Sequence, residues 1–382
     1  MIKSGTGTLT LTGANTYTGG TTIAAGTLVL DGSSAAGTGT ISFQADAQAL
    51  RLTAGGTLSN TVAGFATDGD IIDVRGIGTD AKARFDYGTS TLTLTDAAGT
   101  TTKATIQLSG SYAGQVFSTA SDGMGGTQVS VAAVTLAITV ALANDSGRLS
   151  SDGITNVATV TGIANPGATV ELKDGARLLG STTADASTGQ YTIVPTSLSD
   201  GTHTLTATET FAGLTKDASV TFTLDTTPAS APVGTAPANG AVINTARPTI
   251  TGTAEAGSTV RITIDGAEVG TTTATSGGVF SFTSSVDLGQ GAHTVRSTAT
   301  DAAGNTGPSS ATNTFTVDTV APTLAITSNA STLKSGQTAT VTFTFSEDPA
   351  SSFTSGDVTV SGGTLSAISG SSYAGDWVTT VS

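Results

Sequence analysis

The stretch Gly7-Thr8-Leu9-Thr10-Leu11 returns 19 residues later as Gly26-Thr27-Leu28-Val29-Leu30. Leucine alternating with threonine has the period of a strand, whose side chains point to opposite faces in turn, and a helix presents no apolar stripe at that spacing. A unit this short cannot close a core by itself. Copies bury their leucines only by stacking on one another. Related units, Gly39-Thr40-Ile41 and Gly56-Thr57-Leu58, follow at irregular intervals. Residues 1–134 therefore read as a short right-handed β-solenoid, with single-file aliphatic ladders inside and threonine and asparagine outside and at the turns. Gly69 to Gly99 and Ala104 to Val131 supply the last coils and a closing hairpin in this reading, and Tyr17, Tyr87 and Tyr112 cover coil ends or core edges.

Alternation also rules the rest of the chain, as in Ser90 to Thr95 and Val341 to Phe345, and turn dipeptides interrupt it at short intervals. The whole chain is expected to be all-β. The most apolar stretch, Val129 to Ala143, is shorter than the roughly 20 residues of a spanning helix and is broken by Ser130, Thr135 and Thr139. It reads as two strands meeting at a domain junction.

Beyond about residue 135 a longer period takes over. Val160 to Leu172 (VTGIANPGATVEL) matches Ile250 to Ile262 (ITGTAEAGSTVRI) at a shift of 90 residues, and His203 and His293 keep the same shift. A repeat of that size, built of short strands with a turn every few residues, has the rhythm of an immunoglobulin-like sandwich. Two full copies occupy 135–228 and 229–320. A third unit, 321–382, diverges from them and is too short for a seven-stranded sandwich, which suggests a segment of a longer protein. So does Met1-Ile2-Lys3, which runs straight into the first repeat without a secretory signal.

Composition removes several functions. Lys and Arg number 14 against 28 Asp and Glu, a net charge of −14. Such a chain lacks the basic footprint that neutralises phosphates, which argues against nucleic acid and anionic lipid as partners. Only 11% of residues are charged and none is cysteine. Solubility must come from hydroxyls and exposed backbone, and disulfides, thiolate metal sites and thiol nucleophiles are ruled out.

The residues Gly5 to Leu30 (GTGTLTLTGANTYTGGTTIAAGTLVL) resemble the autotransporter-associated β-strand repeat of bacterial passenger proteins. Residues 135 to 322 resemble bacterial Ig-like domains of large repetitive adhesins, through PGATV, DGTHTLTAT, ATDAAGN and the linker-like DTTP and DTVAP. The final unit, from SGQTATVTFTFSEDP onward, is similar to another Ig-like repeat of such proteins. These resemblances imply a secreted or surface-anchored protein, at the outer membrane or outside the cell.

Candidate chemistry is sparse. Asp68, Asp70 and Asp73 form the one tight acidic group of the solenoid segment. They read as a coil corner whose carboxylates bond nearby backbone, with a calcium-binding turn or catalysis as alternatives. The two histidines duplicate with their module and have no nucleophile motif beside them, so a structural role is expected. Aromatic residues are 5% of the chain and Trp377 lies near its end, too few stacked rings for a sugar-binding platform.

The resemblance to adhesins implies a sharper possibility, calcium held where modules join. The matching positions are Asp225 and Asp318 in the linkers, Asp301 in TDAAGN, and Asp145 and Asp152 in NDSGRLSSDG. The first Ig-like copy has ETFAGLTKD where the second has TDAAGN, so its version of that loop departs from the pattern. Calcium wants six to eight oxygens. The competing reading of an Asp before Thr-Thr-Pro is a strand-ending Asx-turn.

Taken together the residues predict a non-catalytic stalk segment of an adhesin, with Pro228 and Pro322 limiting bend between modules. Host or neighbouring-cell surface components would be engaged through regions outside this chain. A spacer region of an extracellular carbohydrate-active enzyme is the main alternative, and self-association through the solenoid's sheet faces and end coils is a third reading.

Overall fold

The structure, a computed structural model, describes residues 1–53, 57–334, 336–347, 353–361, 363–364, 366–368 and 376–381. It is all-β, with no α-helix among the described residues and a single 3-10 turn at Ser355–Asp357. No helix there is long and apolar enough to cross a membrane. The chain divides into two compact units, Met1–Thr227 with Ala302–Asn305, and Pro228–Asp301 with Thr306–Ser382.

The first unit begins with a β-solenoid of about three turns. Strands Thr8–Thr12, Thr27–Asp31, Ala49–Leu52 and Ile71–Arg75 stack in parallel on one face, and Ile2–Lys3, Thr21–Ile23, Ile41–Phe43 and Val62–Ala63 on the other. Their register stacks Leu9 on Leu28, Leu50 and Ile72, and Leu11 on Leu30, Leu52 and Val74. These ladders belong to one core that also holds Ile23, Ile41, Phe43 and Val62 of the opposite face. Each aliphatic side chain buried this way contributes about 1.5–3 kcal/mol, so a thin core suffices if it is continuous.

The register also corrects the reading of the repeat. Gly39-Thr40-Ile41 does not continue the ladder of Leu9 and Leu28, because Ile41 pairs with Thr21 and Val62 on the other face. The ladder continues instead through Ala49-Leu50-Arg51-Leu52, which lacks the Gly-Thr signature. A period of two identifies a strand but not the face of the coil to which it belongs. Thr57 bridges Thr105, and Gly56 lies outside the described residues. The glycine of the unit has its own cause. Gly26 has φ +71°, and a Cβ there would stand 2.5 Å from the Gly7 carbonyl oxygen of the coil below.

The parallel coils end in antiparallel closure. Lys82–Asp86, Thr91–Thr95 and Thr102–Ser109 extend one sheet, and Gly126–Ala133 and Gln115–Ser121 extend the other. Phe85 of one sheet stacks on Phe117 of the other at 4.4 Å, flanked by Tyr112 and Tyr87, and the Tyr87 hydroxyl donates to the Gln115 carbonyl at 2.6 Å. Gly126–Ala133 ends the solenoid and the next strand starts at Ala141.

Two Ig-like modules follow, each with a three-stranded and a five-stranded sheet over its own core. Duplication reaches the register. Thr169 pairs with Thr210 and Thr259 with Thr300, and the same irregularity breaks the hairpin after Leu172 and after Ile262. Gly162 and Gly252 stand at equivalent positions under Tyr191 and Phe280, where a Cβ would meet the ring and the backbone carbonyl of Thr139 or Val233. The last segment forms an antiparallel sheet of Leu324–Ser328, Ala339–Phe345 and Asp376–Val381. Phe353 packs on Phe343 and Phe345, and the side chain of Trp377 lies outside the described part.

Candidate functional site

Three of the five aspartates singled out as calcium positions sit in the first unit. Asp145 and Asp152 lie in the loop between strands Ala141–Leu142 and Ile154–Thr155, and Asp225 follows strand Leu214–Leu224. Ile154 and Thr155 pair in parallel with Thr223 and Leu224, which holds that loop beside Asp225. Asp145 accepts from the Gly153 amide through Oδ2 at 3.0 Å, while its Oδ1 is buried without a hydrogen-bond partner. Asp152 accepts from the Ile154 amide at 3.0 Å.

Around them runs a polar network. The hydroxyl of buried Thr155 lies 3.2 Å from both the Asn144 and the Val157 carbonyl, and Ser146 Oγ lies 3.1 Å from it. Asn305 donates through Nδ2 to the Asp225 carbonyl at 2.7 Å and accepts from Asn156 at 3.1 Å.

Asp301 and Asp318 belong to the second unit. Asp301 is buried at the end of strand Gly291–Thr300, and Asp318 follows strand Asn313–Val317. The Asx-turn bond expected of a strand-ending aspartate is present in both linkers, from the Thr227 amide to Asp225 at 3.0 Å and from the Val320 amide to Asp318 at 3.2 Å. Among the described residues no three acidic or histidine side chains converge as an ion's ligands. Any ion at Asp145 would draw most of its oxygens from carbonyls, amide side chains and water. The partnerless Oδ1 is the observation that fits such a ligand.

In the solenoid, Asp70 is only 1% exposed. It is a stitch between coils, accepting from the Gln48 amide at 3.0 Å and the Ala66 amide at 3.3 Å. Burial, more than these amides can offset, and the neighbouring Asp68 raise its carboxyl pKa to about 6. Tyr112 is pushed up to about 12, chiefly by burial and then by Asp70. Each Asp70 oxygen accepts from one of these backbone amides. Asp73 departs from the corner reading. It projects from strand Ile71–Arg75 and binds Arg51 Nε at 2.6 Å, while Arg75 lies 3.9 Å from Asp73 and 3.4 Å from Asp122. Sequence reasoning missed this chain of charges because Arg51, Asp73 and Asp122 are neighbours only through strand register.

The histidines are structural ties in both modules. His203 Nδ1 lies 2.8 Å from Asp174 and Nε2 2.8 Å from the Ser199 carbonyl, and His293 repeats this with Asp265 at 2.7 Å and the Gly289 carbonyl at 2.9 Å. A ring facing acceptors at both nitrogens favours the imidazolium, which donates twice. The Ser199 carbonyl first, then Asp174, raises the pKa of His203, and Asp265 first, then the Gly289 carbonyl, that of His293.

A groove of about 620 Å³ opens on the outer face of Lys82–Asp86 and Thr91–Thr95, lined by Lys82, Arg84, Asp86 and rows of threonine, with no aromatic ring in its walls.

The comparisons agree with this architecture. The family model for the passenger-associated-transport-repeat matches residues 1–30, and two models for a bacterial Ig-like domain match 130–226 and 234–319, and 318–382. No curated protein matches the chain. Among solved structures, the fibronectin(III)-like modules of Clostridium thermocellum CbhA are 17% identical at a TM-score of 0.31, covering 47% of this chain and 94% of that one. A tetra-tandem repeat from the extending region of a large adhesion protein is 23% identical at 0.24, covering 66% and 69%. The BSP domain of a biofilm associated protein is 23% identical at 0.21, covering 44% and 29%. The chain is thus one that carries a passenger-associated-transport-repeat at its N-terminus followed by bacterial Ig-like domains.

Proposed function

We propose that the chain is a non-catalytic stalk segment of a bacterial surface adhesin, extracellular or at the cell surface, that projects a binding region outside this chain toward host or neighbouring-cell components. One observation carries the reading: what is duplicated is architecture without chemistry. The copies share register, bulge and His–Asp tie, and in each the histidine, the residue type most suited to catalysis at neutral pH, is engaged at both nitrogens by its own module. Ig-like and repeat domains are typically non-catalytic, so repetition here supplies length rather than sites.

Calcium at Asp145, Asp152, Asp225, Asp301 and Asp318 is part of the proposal, supported at Asp145 by the partnerless Oδ1. The test is thermal unfolding of the full chain in millimolar Ca²⁺ and in excess chelator. Ligand at about a hundredfold over its Kd stabilises by about 2.7 kcal/mol, a shift of several degrees. A shift that Asp145→Ala diminishes supports calcium stiffening. Identical melts reduce the modules to plain spacers.

A further inference from the structure

The strands that close the solenoid turn a patterned face outward. Leu92, Leu94, Ala104 and Ile106 belong to the core, and the residues alternating with them form rows across Lys82–Asp86, Thr91–Thr95 and Thr102–Ser109. Thr91 stands between Asp86 and Gln107, Thr93 between Arg84 and Thr105, and Thr95 between Lys82 and Thr102. Alternate residues of a strand lie about 6.5 Å apart, so Lys82 and Arg84 are successive positions on one line. On this face the groove of about 620 Å³ opens, with Thr89, Gly99 and Thr100 also in its walls.

Acids and bases are used differently here. Each acid is taken up by its own turn: Asp86 Oδ1 accepts from the Gly88 amide at 2.8 Å and the Thr89 amide at 3.1 Å, and Asp96 accepts from the Thr100 amide at 2.8 Å. The Thr89 amide first, then the Gly88 amide, hold Asp86 below the usual carboxylate range, and Arg84 contributes least. Lys82 and Arg84 are exposed and form no ion pair among the described residues, and exposed Lys103 follows Thr102. In a chain of net charge −14, adjacent cations left without an acid of their own run against the composition.

The walls hold no aromatic ring on which a neutral sugar or a base would stack. With Asp86 and Asp96 beside it, the cationic footprint is too small for nucleic acid. Complementary to the face is a ligand with spaced carboxylates and many hydroxyls. We propose that it binds a segment of an acidic polysaccharide, a polyuronate, with Arg84 and Lys82 on the carboxylates and threonine hydroxyls and Asp86 on the sugar hydroxyls. A guanidinium takes a carboxylate through two parallel N–H bonds, and an ammonium meets it as a point charge. Threonine hydroxyls donate and accept as sugar hydroxyls do, and an ionised Asp86 accepts. The volume lies within the range of small-ligand sites, about 300–1,000 Å³. This site adds a ligand to the segment itself and rests neither on the stalk reading nor on calcium.

The test uses the full chain in excess chelator, so that calcium cannot bridge carboxylates. Fluorescence anisotropy of end-labelled tetragalacturonate should show saturable binding that salt weakens. Arg84→Gln should raise the dissociation constant about tenfold and Lys82→Gln by a smaller factor. Arg177→Gln, at an exposed position of the first Ig-like module, should leave it unchanged. Hydrogen exchange of strand Thr91–Thr95 checks that each variant is folded. The methyl-esterified tetramer, neutral and of the same length, should bind about tenfold more weakly or not at all. No binding of tetragalacturonate at millimolar concentration overturns the proposal. So does binding that Arg84→Gln leaves intact, that the methyl ester equals, or that a tetrathymidylate equals, the last marking a general polyanion patch.

Discussion

Replacing the carboxyl of Asp70 should remove a pH dependence of the solenoid's stability. Its carboxyl pKa is raised from 3.8 to about 6 in the folded chain, mainly by burial. The fold therefore prefers the protonated acid, and the contribution is fully present below the unfolded value and lost as pH rises through about 6. A shift of this size corresponds to about 3 kcal/mol in full, of which about half disappears between about pH 5 and about pH 8. Asp70→Asn keeps the shape and removes the titration. Its amide can accept from one partner only, so the Gln48 or the Ala66 N–H loses its bond, and the absolute stability of the variant is a mixture of gains and losses. The pH dependence is not. Hydrogen exchange of the amides in strand Ile71–Arg75 reads the solenoid separately from the Ig-like modules. The wild type should be better protected at about pH 5 than at about pH 8, and the difference between wild type and variant should change by about 1–2 kcal/mol across that window. A difference that does not vary with pH would refute the claim that Asp70 is held in the fold at a cost.

The His–Asp ties predict a second pH effect with the same sign. Both histidine values are raised above 6.5, so their contribution to module stability is present below that pH and fades as pH rises through the folded values. Two-dimensional NMR titration should place both midpoints above 6.5, and a midpoint at or below it would remove the doubly donating imidazolium. Gly162→Ala and Gly252→Ala should each cost about 1–3 kcal/mol, because the new Cβ strikes the Thr139 or Val233 carbonyl and lies 2.8 or 2.6 Å from a ring carbon of Tyr191 or Phe280. Equal losses in separate melts of the two variants would support the shared packing, and a neutral result in either would contradict it.

Much of the fold was legible because alternation and repetition are local properties. TLTLT can bury one face only as a strand, and the shift of 90 residues carried the second module's register with the first. The corner role of Asp70 was readable from its place before two isoleucines. Pairings across coils were not, since they depend on how many residues each turn consumes. Thr8 pairs with Thr27, Thr27 with Ala49, and Ala49 with Ile71, so the first coil takes fewer residues than the two that follow, and the Gly-Thr-Ile unit at Gly39 falls on the other face. The Arg51–Asp73 ion pair and the aromatic closure of Phe85 on Phe117 depend on that register.

By itself, then, the sequence determined the class of structure, the existence of two kinds of repeat and the absence of thiol chemistry. Alternation, spacing and composition act over a few residues and need no partner to be read. Tertiary structure decided which leucines share a ladder, which carboxylates are satisfied by amides or arginines, that Asp145 keeps a buried oxygen without a partner, and that Phe85 and Phe117 close the last coils across the two sheets. Those outcomes are set by register and burial, which arise only when segments distant in the chain are brought side by side.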